Sequence, residues 1–201
     1  AMVTDKIGLV GTVSTSWNEP FHIARKFASL DHISNGRSGW NLVTSSAASE
    51  ALNFSYDAHV PHADRYERAH EFAQVVMGLW ESWDRDAFLG DKERGLFFDP
   101  AKLHFLNHQG KYFKVRGPLT CMRSPQGRPV MVQAGQSEDG RELAAATAEV
   151  LFAVQQDVKV AREFYADMKK RVVAHGRDPE SLKIMPGVLP VIGATEAEAR
   201  A

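Results

Sequence analysis

The chain has 201 residues, of which 44% are hydrophobic and 24% charged, and its formal net charge at pH 7 is -1. That length can bury a core as one domain, and the mixed charges give no reason to expect binding to nucleic acid or to an anionic membrane. The longest apolar runs are far below the roughly 20 residues of a membrane span. Cys121 is the only cysteine, so an internal disulfide and a cysteine zinc cluster are excluded and a reducing cytoplasm is expected.

The first half of the chain predicts a strand, a helix and a strand. Residues 6–14 are short, apolar and rich in small side chains, as in a strand buried on both faces. Pro20 suits the first turn of a helix, which runs to about Ile33, and residues 37–43 form the next strand. Together these elements are typical of a right-handed βαβ unit.

A polar loop over residues 44–61 leads into the clearest helix of the sequence. This helix starts near His62, and its apolar stripe runs from Phe72 to Trp83. Residues 84–128 fit neither a barrel strand nor a barrel helix, and within them residues 103–105 and 112–115 resemble the two arms of a hairpin. We interpret residues 84–128 as an excursion inserted between regular elements.

The alternation resumes after the excursion. The pattern predicts strands at 129–134, 150–153 and 182 to about 192, separated by helices at 137–148 and 157–175, with a further helix beginning at 195. Five strands that alternate with helices suit either an open doubly wound sheet or a closed barrel. The Gly-x-Gly-x-x-Gly phosphate motif is absent after the first strand, which mildly favours the barrel.

Both architectures bind ligands at the carboxyl ends of their strands. The side chains expected there are neutral hydrogen-bonding groups: Thr12 and Ser14 after the first strand, Asn41 in the second, His62 and Tyr66 at the start of the following helix, and the turn containing Gly135 and Ser137. No carboxylate cluster and no metal-ligand spacing accompanies them. These side chains suit a site that binds a large polar cofactor better than a site for metal-dependent hydrolysis, and none of them stands out as a catalytic residue.

Each of these residues also has a purely structural interpretation. Ser137 could only cap a helix, Thr12 and Ser14 could only fill a barrel interior, Asn41 could only form a turn, and His62 and Tyr66 could only open an exposed helix. The turn before the helix at 137 is also a potential anion site, since backbone N–H groups are free at a helix start. Glu138 and Asp139 oppose an anion there, and Arg141 is expected to offset them in part. His104, His108 and Cys121 have no partner at a functional spacing and are interpreted as loop decoration and an inert thiol.

The same residues carry a family resemblance. The segments that carry it are 12–45, which includes Gly39-Trp40-Asn41, then 62–66 with the helix that follows, 98–115, 129–140 and 183–187. They closely resemble the branch of the luciferase-like flavin-dependent monooxygenases that acts on nitrilotriacetate, EDTA, dibenzothiophene sulfone and long-chain alkanes. The resemblance covers nearly the whole chain.

The resemblance implies a (β/α)8 TIM-type barrel that binds reduced FMN supplied by a separate NAD(P)H:flavin reductase and oxidises a small organic or xenobiotic substrate with O2. It places Thr12 or Ser14 and Asn41 along the flavin, His62 and Tyr66 against the flavin or its phosphate, and Gly135 and Ser137 on the phosphate. The sequence does not identify the substrate, because the substrate pockets of barrels are built from variable loops.

Two departures from the family pattern bear on these expectations. Gln136-Ser137 stands where the family usually has two serines, which removes one phosphate hydroxyl. The chain also corresponds to about strands 4–8 of the barrel, as one partial domain over residues 1–201 with the insertion at 84–128, which leaves open edges. Either the sequence is a fragment, or the chain associates into a homo-oligomer that covers those edges. Two alternatives remain open: a deazaflavin-dependent oxidoreductase, and a truncated, non-catalytic remnant or scaffold.

Overall fold

The computed structural model describes residues 1–200. The helices are α1 (Pro20–Ser34), α2 (His62–Trp80), α3 (Glu138–Thr147), α4 (Val158–Ala174) and α5 (Glu196–Arg200). The strands are β1 (Leu9–Ser14), β2 (Ser38–Val43), β3 (Phe88–Asp91), β4 (Leu96–Phe98), β5 (His108–Gln109), β6 (Lys114–Val115), β7 (Val130–Gln133), β8 (Val150–Ala153) and β9 (Lys183–Pro186). Short 3-10 helices cover Ala48–Phe54, Pro100–Lys102 and Pro179–Ser181. No helix within residues 1–200 has the length and apolar composition needed to cross a membrane.

Five strands form one parallel sheet in the order β1-β2-β7-β8-β9. The order across the sheet follows the order along the chain, and a helix lies between each strand of the sheet and the next. A doubly wound sheet reverses its winding at a switch point, whereas a barrel adds its strands in one direction. The strand order therefore selects the barrel winding from the two architectures that the sequence pattern allows.

The two faces of the sheet have opposite environments. Trp40, Met131 and Leu151 point from three neighbouring strands towards the helices and are completely buried. Phe152 and Met185 lie on the other face, where 45% and 56% of their surface is exposed. That face lines a trough of about 600 Å³. In a closed barrel it would be the packed interior, so the inner face of this chain is open.

Local sequence signals explain where the helices begin and end. Pro20 occupies the first turn of α1, and Asn35 ends that helix in the left-handed conformation at φ 55°. Helix α1 packs closely on β1 because Gly11 has no side chain: a Cβ atom there would lie 3.2 Å from the ring of Phe27. Asp157 caps α4 by accepting from two backbone N–H groups of its first turn.

The excursion folds as two antiparallel hairpins, β3–β4 and β5–β6. The sequence predicts a single hairpin with residues 103–105 as its first arm, and that prediction is wrong. Residues 108–109 pair with 114–115 instead, while Leu103 forms one isolated bridge to Trp83. The cause is Glu71 of α2, whose carboxylate accepts from the backbone N–H groups of Tyr112 and Phe113 at 2.9 and 2.8 Å and fixes the hairpin tip.

Three predicted boundaries also shift. The first strand starts at Leu9 rather than residue 6, and the last ends at Pro186 rather than near 192, because its neighbour β8 ends at Ala153. Helix α2 ends at Trp80, so Trp83 lies outside it. The hydroxyl of Ser82 donates to the carbonyl of Leu79 at 2.7 Å and so completes the helix end in place of a further turn.

Candidate functional site

A polar pair lies on the inner face of the sheet, towards the carboxyl ends of β1 and β2. Thr12 and Asn41 are opposite each other in the parallel register, and both line the trough. Asn41 Nδ2 donates to Thr12 Oγ1 at 3.1 Å. Asn41 Oδ1 is buried without a hydrogen-bond partner among residues 1–200, so it is free to accept from a bound ligand. Asn41 is therefore a strand residue with a spare acceptor and does not form a turn.

Ser14 ends β1 and connects the loops that follow the first two strands. Its Oγ atom contacts Ser45 Oγ at 2.8 Å and accepts from the backbone N–H of Ser16 at 3.2 Å. Ser16 Oγ donates in turn to the carbonyl of Thr44 at 2.6 Å. The two loops are thus held together by hydroxyl groups at the mouth of the trough.

The start of α2 lies against the start of α3. The rings of His62 and Tyr66 are 4.7 Å apart on α2, and His62 Nδ1 lies 3.0 Å from Asp139 Oδ2. No side chain caps α2, which leaves N–H groups of its first turn available to a ligand. The two helix N-termini therefore face one region of the site.

A cavity of about 410 Å³ opens between these elements. Tyr66 and Gly135 line it together with Thr44, Ser45 and Glu50. Two residues singled out from the sequence, on elements about 70 positions apart, thus share one cavity. Its walls are about equally polar and apolar in character, as suits a ligand with hydroxyl and charged groups.

The turn after β7 is tightly packed. Ser137 caps α3 by accepting from the backbone N–H of Gly140 at 3.2 Å. A Cβ atom on Gly135 would lie 3.0 Å from Gly140 Cα, so a side chain there would have to push the start of α3 away. The capping interpretation of Ser137 is therefore correct, and its hydroxyl hydrogen stays available because the cap uses only the oxygen.

The acidic start of α3 is neutralised differently from the prediction. Arg141 donates from Nε to the carbonyl of Gln136 at 3.0 Å and contacts Asp167 at 3.2 Å, so it stays beside the turn without forming an ion pair to Glu138 or Asp139. Arg171 of α4 contacts Glu138 at 2.7 Å, and His62 contacts Asp139. The hydrogen bond to Glu138 raises the pKa of Arg171 above its ordinary value. The guanidinium of Arg171 thus reduces the repulsion that an anion would meet here.

The loop over residues 44–61 supplies residues that sequence reasoning missed. The Arg65 guanidinium donates to the carbonyl of Ser45, and it lies 3.3 Å from His59 Nε2. Glu50 accepts from Trp17 Nε1 at 3.1 Å, and the Ser45 hydroxyl and Trp17 indole hold the pKa of Glu50 below its ordinary value. The only sequence signal for this group was its position after a strand end, since the loop has no apolar periodicity.

Other candidate residues do not join the site. His104 lies 3.0 Å from Asp84 and His108 lies 3.0 Å from Glu71, and both histidines belong to the excursion. Burial raises the pKa of the Cys121 thiol, which makes it a poor nucleophile. Within residues 1–200 no group of three or more His, Cys, Asp or Glu side chains is placed to hold a metal ion.

Comparison with known proteins finds relatives over the whole length of this chain. Over 201 residues the chain is 58% identical to N-acetyl-S-(2-succino)cysteine monooxygenase of Bacillus subtilis (strain 168) and 55% identical to nitrilotriacetate monooxygenase component A of Aminobacter aminovorans. All of this chain aligns, but it covers only 46% and 44% of those proteins, so it spans slightly less than half the length of the curated relatives.

A solved structure of riboflavin lyase, with modified FMN and riboflavin, matches with a TM-score of 0.91 and 40% identity over 98% of this chain and 44% of that one. The family model for luciferase-like monooxygenases matches residues 1–201. On sequence and fold together, the chain belongs to the luciferase-like monooxygenase family.

Proposed function

We propose that this protein is a flavin-dependent monooxygenase that binds reduced FMN, supplied by a separate NAD(P)H:flavin reductase, and oxidises a small organic substrate with O2. One observation carries the proposal: neutral hydrogen-bonding side chains and two helix N-termini meet at the carboxyl edge of β1, β2 and β7. Barrel enzymes bind their cofactors at that edge. The name of the relative from Aminobacter aminovorans, a "component A", supports a two-component arrangement.

The residues present fit the chemical groups of FMN. A phosphate suits the region between the starts of α2 and α3, where Tyr66 and Ser137 offer hydroxyl groups. The two acidic side chains at the start of α3, Glu138 and Asp139, are already paired there. The isoalloxazine ring carries an N–H group, which suits the unpartnered acceptor Asn41 Oδ1. Thr12 and Ser14 would complete that wall.

The reduced cofactor supplies the electrons that activate O2 when it is bound. The residues of this chain would bind and orient it. Tyr66, Ser137 and the helix N-termini hold the anionic end, while the Thr12–Asn41 pair fixes the ring end. The apolar side chains of the inner face, such as Val132 and Phe152, would keep water from the reacting region.

The proposal is tested by anaerobic titration of the purified protein with reduced and oxidised FMN, followed by flavin absorbance and fluorescence. Saturable one-to-one binding, tighter for reduced FMN, is expected. Tyr66→Phe and Ser137→Ala should each weaken it about threefold to tenfold, because each removes one hydroxyl partner. Tyr165→Phe is the matched control, since Tyr165 is exposed on α4 and outside this cavity.

Three outcomes would contradict parts of the proposal. No binding at about 100 μM, far above typical enzyme affinities, would overturn the function and favour a non-catalytic scaffold. Preference for a deazaflavin over FMN would overturn the cofactor. Unchanged affinity in both variants would overturn the residue roles. The solution mass, measured on the same sample, tests the expectation of a homo-oligomer.

A further inference from the structure

A second cavity, of about 340 Å³, lies beside the proposed flavin site. The loop after β1 forms its floor with Ser16, Trp17 and Asn18, and the remaining walls come from α1, α2 and the end of the 3-10 helix near Phe54. None of the residues given a flavin-binding role lines it. Its chemistry therefore needs its own explanation.

Three basic side chains converge on this cavity. His22 and Lys26 lie one turn apart on α1, and Arg68 reaches in from α2. None of them forms an ion pair among residues 1–200, although Glu19 also lines the cavity. Lys26 and Arg68 carry two positive charges and Glu19 carries one negative charge, so the lining has a net charge of +1 when His22 is neutral. A protonated His22 would make the net charge +2. The lining is thus cationic overall, with Glu19 offsetting one of its positive charges.

The guanidinium of Arg68 has N–H donors that form no hydrogen bond within residues 1–200. Its guanidinium is half-buried, donates to the backbone carbonyls of Thr15 and Asn18, and lies 4.7 Å from the centre of the Phe113 ring. Those bonds use two of its five N–H groups and hold the planar group in place. Burial lowers the pKa of Arg68, but arginine stays protonated in proteins. A fixed guanidinium with free N–H groups suits a carboxylate, which it can bind through two parallel hydrogen bonds.

The opposite wall is aromatic. Trp17 and Phe54 stack with ring centres 5.1 Å apart and planes within 1°, and Tyr56 lies 5.4 Å from Trp17. Flat apolar faces beside a cationic group favour a small molecule that combines a carbon skeleton with a negative charge. A bare inorganic anion would leave this wall unused.

Trp17 connects this cavity to the proposed flavin site. Its ring lines the cavity, while its Nε1 atom donates to Glu50 Oε2 at 3.1 Å, and Glu50 lines the cavity that contains Tyr66 and Gly135. The two cavities therefore share the Trp17–Glu50 wall.

We propose that the cavity between Lys26, Arg68 and Trp17 is the carboxylate subsite of the substrate, which is a small organic acid. This assignment rests on the proposed function, because it names the substrate class of the same enzyme. Arg68 and Lys26 bind the carboxylate, and the Trp17–Phe54 stack packs on the carbon skeleton. The subsite fixes one end of the molecule next to the wall that this cavity shares with the proposed flavin site.

The test is calorimetric titration of the protein at low salt with tricarballylate, a plain tricarboxylate, and with its neutral triamide. Tricarballylate should saturate one site, and the triamide should bind at least about tenfold more weakly, since it offers no charge to Arg68 and Lys26. Lys26→Gln should weaken tricarballylate at least about fivefold, the effect of one charge at 4 Å in water. Arg25→Gln, at the preceding exposed position and outside the cavity, is the matched control and should change it by less than about twofold.

FMN affinity is measured on the same samples. Equal effects of Lys26→Gln and Arg25→Gln on tricarballylate binding would overturn the subsite. Equal binding of tricarballylate and its triamide would also overturn it, and so would the absence of tricarballylate binding in a protein that binds FMN normally. Binding of tricarballylate that depends on Lys26, in a protein that does not bind FMN, would support the subsite and overturn the flavin function. Lys26→Gln should leave FMN affinity unchanged, and a parallel loss of both ligands would overturn the separation of the two sites.

Discussion

The carboxylate of Asp31 ties three parts of the fold together, and its removal should destabilise the protein severely. Asp31 is fully buried near the end of α1. Its Oδ1 atom accepts from the backbone N–H of Ser38 at 3.0 Å, at the start of β2, and from Gln126 Nε2 at 2.6 Å. Its Oδ2 atom accepts from the hydroxyl of Ser124 at 2.6 Å. One side chain thus joins a helix, a strand and the end of the excursion.

The expected magnitude follows from the groups left behind. In Asp31→Ala, the N–H of Ser38 and the hydroxyl of Ser124 lose their acceptor inside the protein. The amide of Gln126 loses one of its two acceptors and keeps the carbonyl of Ser38 at 2.7 Å. An unsatisfied buried group costs about 1–3 kcal/mol, so the two orphaned donors should lower the unfolding free energy by about 2–6 kcal/mol, a large part of the roughly 5–15 kcal/mol of a typical domain. Asp31→Asn keeps one acceptor oxygen and should cost only about 1–2 kcal/mol.

Urea unfolding followed by tryptophan fluorescence and circular dichroism measures these differences. Asp5→Ala serves as the control, because Asp5 is exposed and should change stability by no more than about 0.5 kcal/mol. An Asp31→Ala variant within about 1 kcal/mol of the parent, or an Asn variant as unstable as the Ala variant, would refute the reasoning from unpaired donors.

Three further predictions concern other parts of the chain. Gly135→Ala places a methyl group 3.0 Å from the α3 backbone, so urea unfolding should show a loss of about 1–3 kcal/mol, with weaker FMN binding in the titration. Burial opposes ionisation of Glu71, but the hydrogen bonds from His108 and the hairpin backbone outweigh it, so its pKa lies below the ordinary 4.5. The stabilisation is therefore present above about pH 4.5 and lost as the pH falls through the lower folded-state pKa, and the stability difference between parent and Glu71→Gln should shrink below pH 4.5. Leu151→Ala should cost about 2–5 kcal/mol and Phe152→Ala less than about 1 kcal/mol, because these neighbours lie on the buried and open faces of the sheet, and equal costs would contradict an open inner face.

The sequence predicted the regular elements because their signals are local. Helix α1 has Pro20 at its start and Asn35 at its end, and the strands of the sheet are short apolar runs between turns. Each signal lies within a few residues of the structure that it specifies. The choice between a barrel and an open sheet was not local, and the observed strand order was needed to make it.

The excursion shows where local reasoning fails. The strands β5 and β6 have only two residues each, too few for an alternating pattern to be recognised. Their register depends on Glu71, which is 41 positions from Tyr112 along the chain. Such a contact between a side chain and a distant backbone leaves no periodic trace in the sequence.

The candidate site also combines residues that the sequence identifies with contacts that it does not. The sequence identified the residues at the strand ends, because parallel strands direct their carboxyl ends to one edge. It could not identify their partners, such as Asp139 for His62 or Arg171 for Glu138, since each pair comes from two separate helices. Arg141 shows the same limit, because its ion-pair partner is Asp167 of α4 and not one of the acidic residues next to it in sequence.

The two halves of the proposed flavin site differ in how far they depend on the open inner face. The starts of α2 and α3 are fixed by a continuous buried core that runs from Ile23 through Phe72 to Leu143, on the closed side of the sheet. Binding of the phosphate end should therefore persist in this chain whatever covers the trough. The ring end rests on Thr12 and Asn41, which face the trough itself. If replacing Tyr66 abolishes FMN binding while Asn41→Ala leaves it unchanged, only the phosphate half of the site is formed. If both substitutions weaken FMN binding equally, both halves of the site act in this chain.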